Sequence, residues 1–378
     1  MKGRWNGTPL LALAVVATAA SADEMTLETE HQTLRLAAVA EDLERPWGVA
    51  ILPGGLYMVS ERSGQIQSFY NDERQTVEGL PGIHVENQGG LLDIAASPDY
   101  ADTGWIYFTY SSGDADSTAT ALARGRLAGD RLTDVEELFE QNRRSEPGPH
   151  SGSRLAWMDD DSLLMSVGDR GSPERAQDTN DHAGSILRLN PQGLAPEDNP
   201  RFEDVGYLPE IYSWGHRHVL GLAVDRSRGD VWAVEARGNG HDELLLIRSG
   251  ENHGWPEGDD SDEAAGADLL DDIASGELFT DEEVIEPAYR FSSDVSPSGL
   301  AVVDSEHYPQ WQGNLLVGGL ENGQIYRFEV NGDEVMEMEE LLEEPLGPVR
   351  DIRQSPEGYL YALIGDENGT LYRLEPEE

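Results

Sequence analysis

The residues best suited to chemistry lie in one stretch, Pro147 to Asp169, PGPHSGSRLAWMDDDSLLMSVGD. His150 stands in a Gly/Pro/Ser turn ahead of two runs that read as strands, and Asp169 closes the second run. An imidazole titrates near working pH, so it can take a proton from a hydroxyl and release it again without large tuning. A carboxylate returning from the end of the hairpin could hydrogen-bond the other ring nitrogen and orient the base. That pairing is general-base chemistry on an alcohol. Alone it is a weak signal, because a histidine that merely caps a turn has the same appearance and is the commoner case.

Several other chemistries are excluded. The chain has no cysteine, which removes disulfides, thiolate nucleophiles and Cys-ligated zinc. Its one lysine, Lys2, falls in a segment expected to be cleaved, so a Schiff-base lysine is ruled out of the processed chain. The formal charge of −47 would repel a polyanion, and nucleic acid is not expected as a partner. So acidic and lysine-free a surface predicts a halophilic setting, where screening weakens self-repulsion. The clusters Asp259 to Glu263, Asp268 to Asp272 and Glu337 to Glu344 read first as solvated surface. His216, His218 and His241 read as hydrogen-bonded loop residues before a metal cluster, and the recurring tryptophans, Trp47 and Trp255 among them, as blade packing.

Lys2 and Arg4, the apolar run Leu10 to Ala17 and then Ala20-Ser21-Ala22 have the form of a secretory signal. Residues 1–22 are therefore expected to be removed, leaving a chain that begins at Asp23 and is exported to a periplasm. No other run approaches the roughly 18 apolar residues a membrane span needs.

The elements that must carry His150 repeat along the chain. WGVAILPGGLYMVSE, Trp47 to Glu61, is an apolar run, a Pro-Gly-Gly turn and a second apolar run, and Gly64 to Phe69 alternates like a third strand. The same grammar returns from Gly90, Ser153, Gly221, Ser298 and Val349, and the segments Gly184 to Leu189, Gly323 to Phe328 and Gly369 to Leu374 echo the third strand. Such repetition predicts an all-β protein, a six-bladed β-propeller of four-stranded antiparallel blades over residues 43–378. Residues 23–42 form a polar lead-in whose Leu34 to Val39 segment is a candidate ring-closing strand. The spacing is broken around Arg170 to Ala183 and Asp259 to Glu286, where inserted loops are expected to bear binding residues.

Seven segments in order, ERPWGVAILPGG, NQGGLLDIAASPDY, HSGSRL with GDRG, GSILRLNPQGLAPEDNP, PEIYSWGHRHVLGLAVD, HDELLLIRSGENHGWP and RDIRQSPEGYLYAL, resemble the glucose/sorbosone dehydrogenase family of soluble, PQQ-dependent aldose sugar dehydrogenases. The resemblance spans about Leu43 to Leu374. It implies hydride transfer from C1 of an aldose to the C5 carbonyl of pyrroloquinoline quinone, giving a lactone, with a further electron acceptor not identifiable from sequence. His150 matches the base, Asp169 the carboxylate that orients it, and Gln88 a contact to the sugar hydroxyls. Arg217 and Arg350 match arginines that hold the cofactor's carboxylates, and His218 falls in the same cofactor loop. Calcium is implied twice: at the main-chain oxygens of Arg237 and Gly238, and at a second site matching Glu243 and His253.

The chain departs from the family where the cofactor binds. Glu321 stands near the usual lysine, Pro348 replaces one of two paired arginines, and RHVLG replaces RNPQG, putting His218 and Leu220 where Asn and Gln would be. Each lost charged hydrogen bond is worth about 1.5–3 kcal/mol, and Arg237, Arg353 or a screening salt environment are the candidates to offset the loss. The competing reading is a propeller that has lost PQQ and serves as a binding or scaffold protein, or as a lactonase-like, metal-dependent hydrolase.

Overall fold

The computed structural model describes residues 25–71, 73–200, 207–238, 240–256, 284–342, 344–365 and 367–377. The expected signal segment and the acidic clusters Asp259 to Glu263 and Asp268 to Asp272 lie outside these residues.

Each repeat of the apolar-turn-apolar grammar forms one antiparallel sheet, and the sheets follow one another around an axis. The innermost strands are Pro46–Leu52, Leu91–Ala96, Leu155–Trp157, Val219–Asp225, Pro297–Val302 and Val349–Gln354, and each touches the next, with the last returning to the first. Where the sequence reads Pro53-Gly54-Gly55, both glycines take positive φ (84° and 81°), closing the turn between Pro46–Leu52 and Leu56–Glu61. Inner strands are mostly buried and mostly apolar, with Asp93, Asp351 and Arg353 among the charged exceptions. The outermost strand of blade five, Glu334–Glu340, exposes most of its acidic side chains and protects a free sheet edge with charge. The helical pieces among the described residues are one turn at Tyr100–Thr103 and a 3-10 turn at Pro173–Gln177.

The core is divided among the blade interfaces. Met58, Ile66, Ile94 and Phe108 pack between blades one and two, Trp232, Leu300 and Phe328 between four and five, and Trp311, Leu316, Leu360 and Leu374 between five and six. Thr33–Leu43 pairs antiparallel with Gly369–Pro376, placing Leu36 opposite Leu374, so the two ends of the chain share one sheet. Met25–Glu28 adds a further strand beyond it. Blade six therefore has five strands, and the expectation of four per blade holds for the other five.

A buried charge network crosses the axis. The Arg154 guanidinium, 1% exposed, donates to the carbonyls of Trp47 (3.3 Å) and Leu220 (2.6 Å), to Ser298 Oγ (3.3 Å) and to the carbonyl of Arg350, and pairs with Asp93 (3.4 Å) and Asp351 (3.2 Å). With its own strand in blade three, it connects all six blades. Arg353 completes the network with Asp93 (2.8 Å) and Asp351 (3.0 Å). Two carboxylates and two guanidiniums thus balance within a closed set, which burial requires.

Candidate active site

A pocket of about 570 Å³ opens at one end of the axis, in the size range of small-ligand sites. Every blade contributes, chiefly through residues just before or at the start of its innermost strand: Trp47, Gln88, His150, Arg217 with His218, Ser296, and Pro348 with Arg350. Its floor is apolar. Trp47, Leu92, Leu220 and Ala236 pack there, with the Arg154 guanidinium 4.1 Å from the Trp47 ring. Leu220, one of the departures in RHVLG, is accounted for by this packing.

His150 sits at the pocket wall with a positive φ of 56°, a conformation that histidine tolerates better than most residues. Its amide donates to Gln88 Oε1 (2.8 Å), and its Nδ1 lies 2.7 Å from Asp169 Oδ1. The loop is held close to the following hairpin: a Cβ on Gly168 would lie 2.2 Å from the His150 carbonyl oxygen. Asp169 is fully buried and further accepts hydrogen bonds from the Gly171 amide (2.7 Å) and from Trp255 Nε1 (2.9 Å). Both carboxylate oxygens are engaged by donors, so its acceptor side faces Nδ1–H and leaves Nε2 as the basic nitrogen. An amide at this position would set a donor against a donor somewhere in the set, at about 1–3 kcal/mol. Asp169→Asn is accordingly expected to lower turnover about 10- to 100-fold, less than loss of the base; a steady-state kcat equal to wild type would refute the orienting role.

Trp255 was the residue least legible in sequence. The inserted loop fixes it: Gln177 Nε2 donates to the Trp255 carbonyl (2.6 Å) and to Asn252 Oδ1 (3.1 Å), while the Trp255 amide donates to Gly215 (2.9 Å). A conformation set by partners so far apart in sequence leaves no local pattern.

Arg217 and Arg350 both reach the pocket, and Arg217 is steadied by the Ala236 carbonyl (2.9 Å) and the Trp255 ring (5.5 Å). Arg62, which the motifs did not single out, is a third cation in the lining. Among the described residues of the lining Glu321 is the one carboxylate, and it is exposed, where solvent screens it. The cations expected to compensate are committed elsewhere: Arg353 belongs to the axial network, and Arg237 is buried against other groups. His218 lies beside His150, ring centroids 4.9 Å apart, and its buried Nδ1 has no hydrogen-bond partner. Burial depresses its pKa most, with His150, Arg217, Arg350 and Arg170 adding to the effect, so it is neutral at working pH. Three arginines and an unsatisfied imidazole nitrogen suit a planar, polycarboxylate ligand such as PQQ.

The positions matched to calcium behave differently. Gly238 lines the pocket, and its carbonyl accepts from the His241 amide (3.0 Å). At the second position, Glu243 pairs with Arg237 (3.0 Å) and Arg290 (2.9 Å), and the His253 carbonyl accepts from Arg237 Nη2 (2.7 Å). Guanidiniums hold both groups, and a calcium ion does not fit between them. The His253 ring stacks on His216 (4.8 Å), which is held by Ser213 (2.9 Å) and Glu235 (3.3 Å). Burial pushes the Glu235 carboxyl up, and Arg237 with His216 and the Arg217 amide brings it down to about 2. His216, His218 and His241 form no metal cluster among the described residues.

Residues 43–373 match the Glucose / Sorbosone dehydrogenase family. Protein slr1608 of Synechocystis sp., itself uncharacterized, is 34% identical over 374 residues, covering 92% of this chain and 88% of that protein. The aldose sugar dehydrogenase YliI of Escherichia coli (strain K12) is 31% identical over 350 residues, 91% and 93% of the two chains. Among solved structures, the PQQ-bound form of aldose sugar dehydrogenase from Streptomyces coelicolor is similar with a TM-score of 0.72 at 28% identity, covering 90% of this chain and 97% of that one.

Proposed function

Because the chain belongs to the glucose/sorbosone dehydrogenase family, we propose that it is an exported, PQQ-dependent dehydrogenase acting at the C1 hydroxyl of soluble aldoses. The observation that carries this reading is a His–Asp pair, 2.7 Å apart, at the wall of a pocket lined by three arginines. His150 Nε2 accepts the proton of the C1 hydroxyl, and Asp169 stabilises the imidazolium through Nδ1. Gln88, whose Oε1 is hydrogen-bonded to the His150 amide, keeps its amide group for the sugar. PQQ, when bound, supplies the two-electron acceptor for the C1 hydride, leaving a lactone. Arg217, Arg350 and Arg62 would hold its carboxylates, a role suited to the guanidinium fork, and His218, neutral, would meet it through the unsatisfied Nδ1. A calcium ion beside it would rely on the main-chain oxygens of Arg237 and Gly238, since no three His, Asp or Glu side chains converge on a metal among the described residues. The electron acceptor downstream is a separate partner.

Titration of the purified protein with PQQ and calcium at high salt, followed by absorbance as an aldose panel is added, tests the reading. Bleaching of the quinone by a sugar is the expected outcome; no PQQ binding at any salt or calcium level would overturn it in favour of a propeller that binds or hydrolyses something else. Arg62 gives a sharper check. Arg62→Gln should weaken PQQ binding about tenfold or more, as for a lost charged hydrogen bond, with little change in the unfolding midpoint. An unchanged Kd would remove Arg62 from the site.

A further inference from the structure

We propose that Arg237 is a built-in structural cation, its guanidinium occupying the place that the family resemblance gives to a second calcium ion. Glu235 and Glu243 are both almost fully buried, and an unpaired carboxylate in the core is strongly destabilising, so a positive charge is required between them. Calcium satisfies such a demand with carboxylate and carbonyl oxygens. Here those donors meet nitrogen: Arg237 Nε lies 3.0 Å from Glu243 and 3.5 Å from Glu235, and its Nη2 donates to the His253 carbonyl at 2.7 Å. Arg290 takes the remaining Glu243 oxygen at 2.9 Å.

The backbone directs the side chain inward. The amides of Arg237 and Gly238 both donate to Asp242 Oδ1 (2.9 and 3.1 Å), while Asp242 Oδ2 accepts from the amides of Val295 and Ser296 (2.9 and 2.7 Å). The loop is thereby folded back against blade five. The guanidinium lies 6.0 Å from the centre of the Trp255 ring, whose Nε1 donates to Asp169. The cation therefore supports the segment that orients the base of the proposed reaction. Unlike a bound ion, it neither dissociates nor exchanges with other cations.

The test uses the full, cofactor-free chain at fixed high ionic strength, with thermal unfolding measured in EDTA and in excess calcium. It does not depend on PQQ, so failure of the dehydrogenase reading leaves it intact. Wild type and Glu243→Gln should shift by the same amount between the two conditions, because Glu243 binds no ion. Arg237→Gly should be less stable in EDTA and should gain several degrees more from calcium than wild type, the excess vanishing in Arg237→Gly/Glu243→Gln. A wild-type calcium shift that Glu243→Gln removes would overturn the proposal, as would an Arg237→Gly protein with no added response. Should Arg237→Gly fail to fold, the comparison of wild type with Glu243→Gln decides alone.

Discussion

Replacing His150 by alanine is expected to lower kcat by about 10²- to 10⁴-fold, the usual contribution of a positioned general base. No neighbour can substitute. His218 is the nearest imidazole, but its depressed pKa makes it a poor proton acceptor, and Asp169 is buried behind the missing ring. The fold should survive, because His150 is on a loop and Asp169 keeps its hydrogen bonds from Gly171 and Trp255. Alanine is less at ease than histidine at a φ of 56°, so His150→Asn is the matched control, asparagine being tolerant of that region. Both variants should unfold within a few degrees of wild type and bind PQQ. Retention of more than about a tenth of kcat by either would remove His150 from the chemistry.

Arg154→Met should destabilise the protein by about 3–5 kcal/mol, the cost of breaking a buried pair by deleting one partner. The loss is concentrated because Asp93 and Asp351 would share Arg353 alone, and the carbonyls of Trp47, Leu220 and Arg350 would lose a donor where water does not reach. Urea unfolding at constant salt measures it; a change under about 1 kcal/mol would mean that the blades are held by their apolar interfaces alone. By contrast the Arg126–Asp134 pair, 3.2 Å apart on the outer surface with both side chains about half exposed, belongs to a class worth roughly 0–1 kcal/mol. Trp47, Leu220 and Arg350 line the pocket, so Arg154→Met should also weaken ligand binding in whatever fraction remains folded.

The propeller was legible because its signal is local and repeated. Each apolar run, glycine turn and second run specifies a hairpin by itself, and recurrence of the unit leaves stacking around an axis as the way to bury both faces. His150 and Asp169 were legible for a related reason: they bracket one hairpin, so a turn and two strands suffice to bring them together. The basic residues were harder to apportion. Arg62, Arg154, Arg237 and Arg353 are all arginines in loop or strand-end positions, and nothing local distinguishes one that lines a pocket from one that seals an axis or neutralises a buried glutamate.

Composition and short-range periodicity carry the blade grammar, the absence of thiol chemistry and the placing of His150 and Asp169 at the two ends of one hairpin. Tertiary structure alone decided what each charge does. The Arg154 side chain meets partners from the five other blades, Trp255 reaches Asp169 across 86 residues, and Arg237 takes the donors matched to an ion. Pairing energies in a core depend on distance and burial, and neither is encoded in the spacing of residues along the chain.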